Sequence, residues 1–202
     1  MEVPDWCFVA PSRGLGYIAI PKAASTSVKA ALLRIDADRP EDVHYEARRK
    51  LMSIRKARAR DILLFTVVRN PFDRVLSIWW QRVYQPRLET RINRHFPVGT
   101  SFWDFVNGLR AVGPAVDLHT MPQASILMQP GYLAADVILR FERLADDWRM
   151  MQRAFDLPAL SARNVSDRDV GDAELYAGSS ERDVVKAVYA DDVRLLGYRF
   201  EV

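Results

Sequence analysis

Apolar positions along the chain fall into short continuous runs and longer helical stripes, and the two alternate. Residues 16–20 (GYIAI) and 62–68 (ILLFTVV) are apolar runs of strand length with no polar face, the pattern of strands covered on both sides. VILRFE at 137–142 reads as a third buried strand. After the first run, VKAALLRI sets Val28, Ala31, Leu32 and Ile35 on one helical face, and Asp36 to Pro40 breaks that helix. Residues 44–60 are helix-like and very basic. Asn70-Pro71 reads as a helix start, with Asn70 as cap and Pro71 in the first helical position. The helix FDRVLSIWWQRVY that follows turns Phe72, Leu76, Trp79, Trp80 and Val83 inward. FWDFVNGL and LADDWRMMQRAF predict two more helices, the second ending before Leu157-Pro158. Ser180 with Asp183 predicts a capping box for a helix through Tyr189, and the stretches 85–100 and 159–178 read as loop. Strands alternating with helices predict an α/β fold: one domain over 1–202, built on a doubly wound, mostly parallel sheet of about four or five strands flanked by helices. Ligands of such sheets sit at the carboxyl ends of the strands.

Composition narrows the setting. The 202 residues are 49% hydrophobic, which suits one globular core. The N-terminal stretch lacks the basic and long apolar regions of a signal peptide, and no apolar run is long enough for a membrane span. Cys7 is the only cysteine, so a reduced, cytoplasmic setting is expected; flanked by Trp6 and Phe8, it reads as a packing residue. A net charge of +3 suits an anionic ligand without demanding nucleic acid. Arginine greatly outnumbers lysine, the only lysines being Lys22, Lys29, Lys50, Lys56 and Lys186. A lysine is the compact charge that fits a tight phosphate loop.

Lys22 stands in such a place. IAIPKAASTSVKAALL is a strand, a short polar loop and a helix, with Ser25, Thr26 and Ser27 where the helix begins. Helix starts offer unbonded N–H groups and a positive dipole to an anion, and Ala23 and Ala24 let the backbone close in. The loop is not a Walker A motif, which needs GxxxxGK[ST]. On this stretch alone, an anion site and a simple helix cap are both open. A second stretch, TVVRNPFDRVLSIWW, puts Arg69 at the end of the next strand and Ser77 about two turns into the next helix. Arg69 is suited to a second phosphate there, or to an ion pair with Asp73 or Asp61.

Together the two stretches resemble the sulfotransferases that use 3′-phosphoadenosine 5′-phosphosulfate (PAPS), especially their carbohydrate and bacterial branch. The likeness rests on Pro21-Lys22-Ala23-Ala24-Ser25-Thr26-Ser27, which looks like that family's PKxxSTS loop. It rests equally on Arg69-Asn70-Pro71-Phe72-Asp73-Arg74-Val75-Leu76-Ser77, which looks like its RNPxxRxxS segment. His119-Thr120-Met121-Pro122-Gln123, RFERLADDW and YADDVRLLGYRF extend the resemblance along nearly the whole chain. Ala23 is blander than the hydroxyl residue often found there, and Thr120 replaces a common aromatic, a departure that points to a different acceptor.

The resemblance implies sulfuryl transfer from PAPS to an acceptor hydroxyl, a glycan among the candidates, with adenosine 3′,5′-bisphosphate (PAP) as the product. It implies in-line displacement catalysed mainly by positioning and electrostatics. Lys22 would neutralise charge on the oxygen leaving sulfur. The loop residues Lys22, Ala23, Ala24, Ser25, Thr26 and Ser27 would hold the 5′-phosphate, while Arg69 and Ser77 would hold the 3′-phosphate. No divalent metal is implied, since PAPS lacks β and γ phosphates and the sequence shows no ligand cluster.

A general base is also needed, and histidine suits neutral pH. There are three: His44, His95 and His119. His44 lies between the two donor motifs, where this branch often carries a histidine, and is the expected base unless it is a surface residue at a helix start. His119 is expected on the acceptor side, and His95 on the solvated surface. The basic residues 48–60 read as a solvated face rather than an anion-binding one. Trp79, Trp80 and Trp148 read as core, with Trp103 a candidate platform for a sugar. Two rival readings remain open: a Mg²⁺-dependent nucleoside or nucleotide kinase, and a non-enzymatic anion- or RNA-binding module using residues 48–60.

Overall fold

The computed structural model describes residues 2–35, 40–86, 89–161, 175–176 and 179–199. The predicted break at 36–39 and most of the predicted loop at 159–178 lie outside them. In chain order the elements are β1 (Cys7–Ala10), β2 (Leu15–Ile18), α1 (Ser25–Leu33), α2 (Pro40–Arg48), β3 (Leu51–Met52), α3 (Ile54–Arg58) and β4 (Leu63–Val68). Then come α4 (Pro71–Trp79), α5 (Phe102–Val112), α6 (Gln123–Leu127), β5 (Met128–Gln129), β6 (Tyr132–Leu133) and β7 (Val137–Arg140). The chain continues through α7 (Leu144–Phe155), α8 (Ser179–Val188) and α9 (Ala190–Leu195). They fall into two compact units, one from residues 2–69 and 126–165, the other from 70–125 and the described part of 166–202.

The first unit carries a five-stranded sheet in the order β3-β1-β2-β4-β7. β2, β4 and β7 pair in parallel, while β1 is antiparallel to both β2 and β3. Four strands therefore run the same way and β1 alone runs against them, which is the mostly parallel α/β sheet expected. β2 is buried throughout and β4 nearly so, as strands covered on both faces must be. Gly16 permits the close approach of these two: a Cβ there would come within 2.6 Å of Leu64 Cδ2. Tyr17 stacks on Phe65 at 5.1 Å, and Phe65 meets Trp148 of α7 at 6.2 Å. Asp136 sets the start of β7 against β4: its carboxylate accepts from Leu64 N at 2.8 Å, and its own N–H donates to Leu64 O at 2.7 Å.

The second unit is helical around an apolar cluster. Phe72, Val75, Leu76 and Trp79 of α4 pack with Phe102, Phe105, Val106 and Leu109 of α5 and with Val184 and Val185 of α8. Asn70 caps α4 as expected, its Oδ1 accepting from Phe72 N at 3.1 Å, with Pro71 in the first turn. Past Trp79 the helix widens into a π-turn over Trp80–Tyr84, and Trp80 and Val83 point inward as predicted.

Four expectations need correction. Residues 44–60 are not one helix. Leu51 and Met52 pair with Phe8 and Cys7 as β3, and Ser53 caps a new helix, α3, by accepting from Lys56 N at 3.3 Å. Pairing with a strand some forty residues earlier outweighs the helical preference of that basic stretch. β2 ends at Ile18 rather than Ile20, and β7 ends at Arg140, where Phe141–Arg143 tighten into a 3₁₀ turn. α8 starts at Ser179, so Ser180 lies within it and its hydroxyl donates to Glu181 at 2.9 Å rather than capping from outside.

Candidate functional site

Parallel pairing decides what meets at the carboxyl end of the sheet. β2 and β4 run in register from Leu15–Leu63 to Ile18–Thr66, and the buried Thr66 hydroxyl donates to Ile18 O at 2.8 Å. The chain leaving β2 and the chain leaving β4 therefore emerge side by side. From β2 it enters the turn Pro21–Ala24 and then α1; from β4 it reaches Arg69. The Arg69 guanidinium donates from Nη1 to Lys22 O at 3.2 Å and lies 4.3 Å from the centre of the Phe141 ring. Lys22 and Arg69, one residue from each motif singled out in the sequence, thus meet at one edge of the sheet unit, whereas Asn70–Ser77 belong to the helical unit.

The turn has an uncommon backbone. Lys22 and Ala24 both hold left-handed conformations, with φ of 69° and 55°, which non-glycine residues adopt at a cost of roughly 1–2 kcal/mol each. Left-handed residues alternating with ordinary ones are the backbone pattern of anion-binding nests; here the Ala23 N–H between them donates to Ile20 O at 3.4 Å. Ala24 is the N-cap of α1 and has no side chain to bond the first-turn N–H groups, and that turn carries no acidic residue. A helix start and a nearby lysine are features that favour anions in general. Ala23 is buried; Ser25 is part-exposed, while Thr26 and Ser27 are nearly covered.

His44 comes to the same helix from α2. Thr26 and Lys29 are one turn apart on α1 and so share a face. The imidazole bridges them, with Nε2 3.3 Å from Thr26 Oγ1 and Nδ1 2.5 Å from Lys29 Nζ. His44 is therefore built into the loop's support rather than lying loose at a helix start. Lys29, which sequence reasoning passed over, is only 5% exposed. Its Nζ sits 5.0 Å from the Phe8 ring centre. Burial, helped by the charge of Arg48, lowers its pKa to about 8. The signal for Lys29 was its spacing from Thr26; its partner, fifteen residues away on another helix, was not legible.

In the helical unit, Ser77 is buried within α4. His119 sits in a turn where Asp117 Oδ1 accepts both from its backbone N–H at 2.8 Å and from Nδ1 at 2.7 Å. A carboxylate can only accept, so Nδ1 carries the proton and the acceptor lone pair of the neutral ring is at Nε2. Burial raises the Asp117 pKa, but the His119 hydrogen bonds, its charge and that of Arg82 outweigh this, and the carboxyl is held below its usual range. Arg74, the second arginine of the RNPxxRxxS-like segment, is fully buried. It donates from Nη2 to His119 O at 2.7 Å and Met121 O at 3.0 Å. Thr120 is buried too, its hydroxyl donating to Pro114 O and Asp117 O; it shapes the turn.

The remaining candidates separate cleanly. His95 is exposed, and Trp79, Trp80 and Trp148 are core, whereas Trp103 is 44% exposed on α5. Arg58, from the basic stretch, is a structural tie to Leu133 O, Ala134 O and Asp136. Cys7 is buried, and burial with the nearby Asp5 charge pushes its thiol up to about 11, which fits packing rather than nucleophilic use.

The fold is that of an α/β protein with a turn containing two left-handed residues between a parallel strand and a helix. Residues 6–199 match the sulfotransferase family, and the chain belongs to it. No curated protein and no solved structure matches the chain. Among the described residues, no helix is long and apolar enough to cross a membrane.

Proposed function

We propose that the chain transfers a sulfuryl group from PAPS to an acceptor hydroxyl by in-line displacement, using a P-loop-like turn at the carboxyl end of a doubly wound sheet. The observation that carries this reading is the paired left-handed Lys22 and Ala24 ahead of α1, with Arg69 bonded to the Lys22 carbonyl. That turn fits a 5′-phosphosulfate: its N–H groups and the hydroxyls of Ser25, Thr26 and Ser27 are the proposed donors, with Ala23 and Ala24 lining it. When bound, PAPS supplies an activated sulfuryl group on a stable leaving phosphate. The Lys22 ammonium is proposed to hold the charge that gathers on the leaving oxygen. Arg69 and Ser77 are the proposed 3′-phosphate ligands, on the strength of the family resemblance. His44 is the proposed general base. His119, oriented by Asp117, is proposed to serve the acceptor, with a carbohydrate hydroxyl first among acceptor classes and Trp103 as a stacking surface. A reduced, cytoplasmic setting suits a chain whose only cysteine is buried.

Thermal denaturation tests the donor. PAP alone should raise Tm by mass action, reaching about 2.7 kcal/mol of stabilisation at a hundred times Kd. ATP with Mg²⁺ should have little effect. Stabilisation by ATP and Mg²⁺ but not by PAP would replace this reading with a kinase.

A further inference from the structure

The His44 imidazole is held at both ends by α1, and the identities of its partners dictate where its proton sits. While Lys29 is an ammonium it has only donors to offer. Nδ1 must then accept from it, and the ring proton is on Nε2, facing Thr26 Oγ1. In that state Nε2 has no lone pair for an incoming proton. Only when Lys29 is a neutral amine does Nζ have a lone pair, so that the bond can reverse: Nδ1–H then donates to Nζ, and the Nε2 lone pair can take a proton.

We propose that Lys29 is a positioning residue that acts through His44, deciding whether the imidazole can serve as base and taking the proton from its far side. This rests on the reading of His44 as the base. The step balances. The acceptor O–H bond breaks as oxygen bonds to sulfur, and its proton goes to His44 Nε2. The Nδ1 proton passes to neutral Lys29 Nζ, which ends as ammonium and returns the ring to its neutral Nε2–H form. The bond from sulfur to the bridging oxygen breaks with its electron pair on the departing phosphate, and nothing is oxidised or reduced.

The surroundings support a lysine able to lose its proton. Lys29 is buried, which disfavours its ammonium, and this outweighs the Phe8 ring of β1, which lies 5.0 Å from Nζ and favours the charged form. On α2, Arg48 is the charge that acts on Lys29 and lowers its pKa with burial, to about 8. The acidic groups of α2 are Glu41, Asp42 and Glu46, of which Glu46 pairs with Arg49 at 3.5 Å.

Single-turnover rates against pH, in three variants, test the relay. Wild type should show a rising limb near pH 8. Lys29→Met removes Nδ1's charged partner, so the limb should move down toward the ordinary histidine value of about 6.5. Lys29→Arg keeps a permanent donor against Nδ1, so turnover should fall about 10²–10⁴-fold, the usual contribution of a general base. PAP-induced stabilisation should persist in each, showing folded protein. Independently of activity, ¹⁵N spectra of the His44 ring in the unmodified protein should show Nε2–H below the limb and Nδ1–H above it. A limb near pH 8 in Lys29→Met, full turnover in Lys29→Arg, or a ring whose tautomer does not change would each overturn the proposal. His44→Gln separates the two levels: if it abolishes turnover while the Lys29 variants behave as wild type, the relay fails and the base stands. Full turnover in His44→Gln overturns both.

Discussion

Arg69 reaches from the end of β4 to the carbonyl oxygen of Lys22, 3.2 Å away, and so ties the strand that carries it to the loop leaving β2. Removing it should have two separable effects. Loss of the loop tie should weaken any nucleotide with a 5′-phosphate slightly. Loss of a charge-assisted bond to the 3′-phosphate should remove about 1.5–3 kcal/mol, or about 10- to 150-fold in Kd, from PAP alone. Titration calorimetry of Arg69→Ala with PAP and with adenosine 5′-phosphate measures both. Equal losses would show that Arg69 does not read the 3′ group.

Lys22 combines a charge with a left-handed backbone, and the two can be tested apart. Lys22→Gly keeps the backbone accessible, because glycine adopts positive φ freely, and deletes only the ammonium. If the charge acts mainly on the leaving oxygen, kcat should fall about 10²–10³-fold while PAP affinity changes far less. A large loss of PAP affinity with kcat intact would make Lys22 a ground-state binding group.

The legible parts of this protein were those written in consecutive residues. The strand runs at 16–20 and 62–68, the Asn70-Pro71 helix start and the loop around Lys22 all carry local signals, and the sheet and the turn ahead of α1 follow from them. What escaped was non-local. β3 is two residues long and exists because Leu51 and Met52 pair with Phe8 and Cys7; β1 pairs with β2 as well, and its apolar run WCFVA, as long as 16–20, reads on its own only as packing around Cys7. Ser53 was the one local cue that the basic stretch divides. Lys29 and Asp117 gain their importance from what packs beside them, and a single lysine on a helix or aspartate in a turn says nothing of its partner.

Arg74 illustrates a motif residue whose work is structural. Its fully buried guanidinium donates to the carbonyls of His119 and Met121. Asp192, also buried, accepts from the backbone N–H groups of Gln123 and Ala124 at 3.0 and 2.7 Å, and Tyr189 donates to Thr120 O at 2.8 Å. Three side chains thus hold one turn. Arg74→Met leaves buried carbonyls unpaired and Asp192 without its compensating charge, which should cost about 3–5 kcal/mol. Urea denaturation at constant m-value measures it. A loss below about 1 kcal/mol, the level of an exposed pair, would show the turn to be held without Arg74.

Asp117 links that turn to pH. Its folded pKa is depressed, chiefly because the His119 hydrogen bonds and charge overcome the burial penalty. A depressed carboxyl binds fewer protons folded than unfolded, so it adds stability above its unfolded pKa of about 3.9. That contribution disappears as pH falls through the lower folded value. Asp117→Asn keeps an oxygen for the His119 backbone N–H but removes the charge, so it should cost about 1–2 kcal/mol at pH 7. It should also flatten the stability curve below pH 4. Because the carboxylate fixes Nδ1 as the protonated nitrogen, the same variant should loosen the ring. If His119 serves the acceptor, Asp117→Asn and His119→Ala should both raise KM for the acceptor and leave PAP affinity unchanged. Paired stability curves at pH 3–7 and steady-state kinetics on one preparation decide it. An unchanged acid limb would mean that Asp117 is not the carboxyl responsible, and a raised Kd for PAP would move His119 to the donor side.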